Sequence, residues 1–189
     1  MKATWKWVIV SIYTIGLFVA TPYLPQLIQA ATSKWSKSGV SRFVLGVEIS
    51  IALALTALAV YFIIQKKKIA LVFVVSIGCI FLLSFIIYQF IPNPYEFTHL
   101  PEYAVLSVLL HWALNKTRKP REEIKGPGMP RIFMNTYFQS GAITGMVGSA
   151  DEIYQLYLPN RAYTWYDIFL NILGGILGLL LIWGIRRQK

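Results

Sequence analysis

Apolar residues along this chain gather in long blocks separated by short polar stretches. A helix that crosses a bilayer takes about 20 largely apolar residues, with a range of about 17–25. Six blocks reach that length: 7–28, 43–64, 69–90, 97–114, 132–150 and 167–185. The pattern predicts an all-α, polytopic integral membrane helix bundle with about six transmembrane helices. Pro22 and Pro25 interrupt the first block, so its unbroken core, 7–20, is short. A cleaved signal peptide, with Lys2 and Lys6 as its basic start, is the rival reading there, but no small-x-small cleavage site follows Ala20. The chain 1–189 reads as a single domain.

Composition agrees. Hydrophobic residues make up 56% of the chain and charged residues 14%, against about 45–50% and about 25% in ordinary soluble domains. The formal net charge is +10. Apolarity joined to basicity points to a bacterial plasma-membrane protein with basic cytoplasmic loops and with membrane lipids as its partners. A nucleic-acid binder needs a polar surface on which to spread its cations, and there is too little polar sequence to make one. Cys79 is the single cysteine, which excludes an intrachain disulfide and a cysteine zinc cluster. It lies in an apolar run and is expected to be a buried, inert thiol of the third helix.

Orientation follows from the basic residues. With both termini in the cytoplasm, fourteen Lys and Arg fall inside and four outside, and the positive-inside rule selects that arrangement. The segment 115–131, carrying Lys116, Arg118, Lys119, Arg121, Lys125 and Arg131 around Gly126-Pro127-Gly128, is then the main cytoplasmic loop. It is suited to contact anionic headgroups.

The acids are distributed the other way. Only Glu122 and Glu123 fall on the cytoplasmic side, while Glu48, Glu96, Glu102, Asp151, Glu152 and Asp167 fall at or near the outer ends of helices two, four, five and six. Acids near membrane depth face the bundle interior and have partners, so an outward-facing polar site is inferred. His99 and Glu102, three apart, share one face of helix four, with Pro101 in its tolerant first turn. Asp151 and Glu152 stand four and three residues before Gln155 at the end of helix five. Asp167 and Asn171, four apart, open helix six, where Asp167 meets the positive end of the helix dipole. Arg161 lies alone among Tyr154, Tyr157, Tyr163, Trp165 and Tyr166, and is the expected cation for these carboxylates. The aromatics read as an interfacial belt. Gly141 with Gly145, and Gly174 with Gly178, are small-xxx-small pairs that permit close helix approach. Asn171, three residues before Gly174, is placed to hydrogen-bond across such a contact.

The ordered set His99-x-x-Glu102-Tyr103, Asp151-Glu152-x-x-Gln155, Pro159-x-Arg161 and Asp167-x-x-x-Asn171, with a glycine-bearing last helix, resembles the VanZ-like family. The resemblance covers residues 98–180; the first three helices agree only in hydropathy and position. Three positions depart from the family pattern: Glu96 where a lysine is common, Tyr154 where a histidine is common, and Asn160 where the turn usually has glycine. Asparagine tolerates the left-handed conformation well enough to keep that turn. The resemblance implies an accessory protein of glycopeptide resistance at the Gram-positive cell surface. It would modulate teicoplanin-type lipoglycopeptide susceptibility or the engagement of a lipid-linked cell-wall precursor.

Several chemistries suit the outer site. A structural network would use the carboxylates and Arg161 as paired charges. A binding site would take an anionic envelope lipid on Arg161, with Gln155, Asp167 and Asn171 as further ligand-binding residues. An intramembrane enzyme acting on an envelope lipid or peptidoglycan precursor would use His99 or Glu102 as general base and Asp151 or Glu152 as acid. A small-molecule transport pathway is the remaining class. Under the enzymatic alternative, His99 with three carboxylates forms a donor set for a hard divalent cation or zinc. The histidine missing at position 154 counts against a metal, and no cofactor or metal is expected. There is no H-E-x-x-H, G-x-S-x-G or phosphate-binding loop. His111, twelve residues along helix four, falls about 18 Å from His99 and is expected at the opposite interface.

Overall fold

The structure, a computed structural model, describes residues 3–64, 71–90, 96, 98–117, 135–159, 161 and 164–186. Every regular element among them is helical: α1 (Ala3–Ala20), α2 (Leu24–Ile64), α3 (Leu71–Phe90), α4 (His99–Thr117), α5 (Thr136–Gln155) and α6 (Trp165–Arg186). The basic loop beyond Thr117, Lys66–Lys68, Asn160 and Tyr163 lie outside the described residues, as does the side chain of Glu48.

Four predicted blocks correspond to α3, α4, α5 and α6 within a few residues. The first two are corrected. α1 stops at Ala20 and the chain turns through Thr21–Tyr23, because the residue before Pro22 is pushed out of the helical region. Pro25 then sits in the first turn of α2, where proline costs little. Residues 29–42, expected to link two crossings, are instead helical within α2, which breaks only at Ser36 (φ 65°, ψ 161°). The Ser36 hydroxyl accepts the Gly39 N–H at 3.3 Å, as a cap for the stretch that follows.

The chain forms two compact units, Met1–Tyr23 with His99–Leu179, and Leu24–Thr98 with Leu180–Lys189. In the first, α4 is the central element. Lys6 meets Trp112 and Tyr13 meets Glu102, so α1 runs antiparallel to α4. α5 does the same, with Tyr103 against Asp151 and His111 against Tyr137. The apolar core between them is small: Val10, Tyr103, Leu106, Leu110 and Ala113.

Glycine lets α6 into this group. A Cβ at Gly174 would stand 2.5 Å from the Leu100 carbonyl oxygen, and one at Gly178 would strike the Ala104 carbonyl and the Ser107 hydroxyl. The predicted Gly174–Gly178 pair is therefore a true close approach, onto the backbone of α4. Gly141 and Gly145 differ, since their added Cβ would meet only side chains, Leu179 at 3.3 Å and Ile172 at 3.6 Å. The tight glycine of α5 is Gly148, where a Cβ would stand 2.6 Å from the Asn171 Cβ.

Burial along α5 is inverted relative to a soluble helix. Its buried residues are Thr136, Ser140, Thr144, Gly148, Asp151, Glu152 and Gln155, all small or polar, whereas Phe138, Met146 and Ile153 are exposed. A surface helix of a soluble protein shows the reverse arrangement. Ser140 and Thr144 satisfy their hydroxyls on the carbonyls of Thr136 and Ser140 in their own helix. His111 is also buried, its ring 4.3 Å from that of Tyr137. Lys6 is almost wholly buried, donating to the Trp112 carbonyl at 2.7 Å with its ammonium 4.4 Å from the Trp112 ring centroid.

In the second unit, Phe43, Val47, Leu53, Val75, Leu82 and Phe85 are exposed. Cys79 is exposed with them, not buried as expected. α3 is apolar on every side, so periodicity could not say which face would be covered. Among the described residues, Trp165–Ile185 alone is long and apolar enough by itself to cross a membrane. Thr4–Ala20 and Leu24–Ser36 meet that test only together.

Candidate functional site

Antiparallel packing brings the end of α1, the start of α4, the end of α5 and the start of α6 to one end of the first unit. The buried polar residues there are Thr21, His99, Asp151, Glu152, Gln155, Asp167 and Asn171. Seven of the eight residues singled out from the sequence thus lie on neighbouring elements near this cluster or in it, and Arg161 follows α5 in the connecting turn.

Asp151 is fully partnered. Its Oδ1 accepts the Thr21 hydroxyl at 3.0 Å and its Oδ2 accepts the Tyr103 hydroxyl at 3.2 Å. Arg161, expected to neutralise the acids, forms no ion pair with them among the described residues. Its Nε donates to the Thr21 carbonyl at 3.2 Å. Both Asp151 oxygens already hold hydroxyl donors, and Arg161 acts on the carboxylates only through its nearby charge. Thr21 therefore serves the site twice, through its hydroxyl and its carbonyl.

His99, Glu152 and Asp167 form the centre. One potential ligand atom from each lies within 4.8 Å of the others, and all three residues are buried. Each is steadied from elsewhere. The Gln155 amide donates to Glu152 Oε1 at 2.8 Å. The Asp167 N–H donates to the Thr164 hydroxyl at 3.1 Å, which caps the start of α6. The His99 ring is stacked on Tyr103 at 6.3 Å between centroids. Asn171 donates to the Gly148 carbonyl at 3.2 Å, the cross-helix bond its position predicted. What remains is unpaired: His99 Nδ1, Glu152 Oε2, Asp167 Oδ1 and Asn171 Oδ1 are buried without a hydrogen-bond partner.

Asp151 and Glu152 stand beyond residue 150, the end of the fifth predicted crossing. Burial raises both carboxyls above their ordinary range. For Glu152 the neighbouring Asp167 and Asp151 add to the effect and push it up to about 8. For Asp151 the hydroxyls of Thr21 and Tyr103 oppose it.

Glu102 departs from expectation. It is half-buried, and its carboxylate is not among the grouped ligand atoms; its backbone carbonyl accepts the Tyr13 hydroxyl at 2.9 Å. Glu96 is a half-buried residue of the second unit. Of the aromatics predicted to form a belt, Tyr157 and Trp165 are strongly exposed, while Tyr154, in the last turn of α5, packs on Phe18. Thr21 went unread in the sequence, since a threonine before Pro22 at a helix end signals only a turn. Tyr103 was quoted without a role, because its partner is 48 positions away. No family model, curated relative or solved structure matches the chain.

Proposed function

We propose that this chain is a VanZ-like, multi-pass protein of a Gram-positive plasma membrane, with both termini cytoplasmic. Its buried polar cluster faces outward and modulates how teicoplanin-type lipoglycopeptides or lipid-linked cell-wall precursors engage the cell surface. The observation that carries the reading is the inside-out α5, with threonine, serine, glycine and carboxylates inward and Phe138, Met146 and Ile153 outward. Exposed apolar side chains are costly in water and free of cost in lipid. Further support comes from the cluster's position. The helix ends that meet around His99, Glu152 and Asp167 are those that the positive-inside count assigns to the outer leaflet.

Expression in a teicoplanin-susceptible Gram-positive host tests this. Surface uptake of labelled teicoplanin should fall while membrane-lipid and muropeptide profiles stay unchanged. Asp167→Asn, made at equal protein level, should restore uptake. A changed profile would instead assign an enzymatic role, and flux of a precursor in proteoliposomes a transporter.

A further inference from the structure

His99, Glu152 and Asp167, on three helices, each bring one possible ligand atom within 4.8 Å of the others. His99 Nδ1, Glu152 Oε2, Asp167 Oδ1 and Asn171 Oδ1 are buried without a hydrogen-bond partner, and the Asn171 side chain lies beside both His99 and Glu152. Their residues are between 0% and 8% exposed, so solvent is a poor substitute partner. Native interiors seldom leave a polar group in this state, and four together call for a missing partner. An electron-pair acceptor could serve all of them at once, since each atom offers a lone pair when the carboxyls are ionised, as metal ligation requires.

Charge narrows the choice. Each Asp151 oxygen already accepts a hydroxyl, from Thr21 or Tyr103, and Arg161, whose Nε donates to the Thr21 carbonyl, forms no ion pair with the acids among the described residues. Glu152 and Asp167 are left as two buried carboxylates without a contacting cation among the described residues. A dication beside the neutral imidazole of His99 balances them once both are ionised, as ligation requires. One imidazole and two carboxylates, with no thiolate, suit zinc, which accepts nitrogen and oxygen together, better than calcium or magnesium, which favour all-oxygen shells. From these observations we propose that His99, Glu152 and Asp167 bind a single divalent transition-metal ion of the zinc class, which ties together the starts of α4 and α6 and the end of α5.

The dimensions agree with this. Zinc with bonds of about 2.1 Å holds tetrahedral ligands about 3.4 Å apart, and the ligand atoms lie within 4.8 Å of one another. Rotation of carboxylate side chains covers the difference. Two outer contacts leave ligand atoms free in the way a metal site requires. Gln155 holds Glu152 by Oε1 and leaves Oε2 for the ion. Asn171 is fixed through its amino group on the Gly148 carbonyl, leaving Oδ1 as an additional weak oxygen donor. Three strong protein ligands leave zinc a position open to that amide or to water. The proposal departs from the sequence expectation of no metal: the histidine missing at 154 would not be needed, because His99 reaches Glu152 and Asp167 from α4.

The test uses the full-length protein in detergent, stripped with a chelator and titrated with zinc chloride. Calorimetry should give one zinc per chain, and thermal unfolding should shift upward with zinc but much less with magnesium or calcium. His99→Ala, Glu152→Gln and Asp167→Asn should abolish both responses, Gln155→Ala should weaken binding about 10–100-fold, and Glu102→Gln should leave it intact. Folding is controlled by the metal-free state. There Glu152→Gln and Asp167→Asn remove one of two adjacent negative charges, so they should unfold at or above the temperature of the stripped parent. A stripped parent that takes up no zinc and shows no shift overturns the proposal, as does undiminished zinc binding by Glu152→Gln and Asp167→Asn.

Discussion

The hydroxyl of Thr21 donates to Asp151 Oδ1 at 3.0 Å although the two residues are 130 positions apart. The end of α1 is thereby pinned to the end of α5 beside the candidate site. A buried carboxylate oxygen that loses its donor carries its desolvation cost unrelieved, about 1–3 kcal/mol. Thr21→Val, which keeps the shape, should destabilise the protein by that amount, and Thr21→Ser should be close to neutral. Unfolding in detergent, followed by tryptophan fluorescence, reads the difference. In an Asp151→Asn background the valine penalty should shrink, since the acceptor is no longer charged.

The glycines of α5 and α6 should rank by what surrounds them. Gly178→Ala drives a methyl group into the Ala104 carbonyl and Gly174→Ala into that of Leu100. Overpacking costs about 1–3 kcal/mol, and these two belong at or above the top of that range because the obstacle is backbone. Gly141→Ala meets only the movable end of Leu179, and Gly16 has nothing within 4 Å. Gly16→Ala should gain about 0.5–1 kcal/mol from helix propensity. Equal effects at Gly178 and Gly141 would contradict the packing described.

These contrasts show what the sequence could and could not tell. Helix-scale spacing on α4, α5 and α6 placed His99, Glu152 and Asp167 at matching ends, and the order of those ends along the chain brought them together. The same spacing could not choose between Gly141 and Gly148 on α5, because both lie near the face that carries Thr144. Arg161 was assigned to the acids on charge alone, whereas the Thr21 and Tyr103 hydroxyls had already filled Asp151. Hydroxyls leave no mark in a charge count. Residues 29–42 looked like a link because their lysines and serines broke the hydropathy, yet polarity does not prevent a helix, and only Ser36 leaves the helical region. Cys79 was misjudged because an apolar run has no preferred face.

Lys6 supplies a further test. Its ammonium is buried against the Trp112 carbonyl and ring, near the C-terminal end of α4, where a cation is favoured by the helix dipole. An apolar replacement removes the desolvation cost of the buried ammonium along with its contacts, whereas reversing the charge sets a buried carboxylate against the Trp112 carbonyl. Lys6→Met should therefore change stability by less than about 1 kcal/mol, while Lys6→Glu should cost about 3–5 kcal/mol or prevent accumulation. Protein level and detergent unfolding of the two variants measure this.

The proposed topology makes the most exposed prediction, because it can be tested without a ligand. Cys79 is the only cysteine, so Cys79→Ser gives a background without thiols. Tyr157, 79% exposed in the turn after α5, is at the outer surface in this arrangement, and Lys125 is in the cytoplasmic loop. In intact cells, Tyr157→Cys in that background should react with a membrane-impermeant maleimide, and Lys125→Cys should react only after permeabilisation. Cys79 in the parent chain should resist the impermeant reagent in both conditions, since its neighbours on α3 are apolar and, in the proposed arrangement, its face would lie in lipid. Labelling of Lys125→Cys from outside would invert the orientation and turn the His99, Glu152 and Asp167 cluster toward the cytoplasm. The lipoglycopeptide reading would then fail, because those antibiotics act outside. The metal site would stand, since its ligands and unpaired atoms are set by the packing of α4, α5 and α6 and not by the side of the membrane they face.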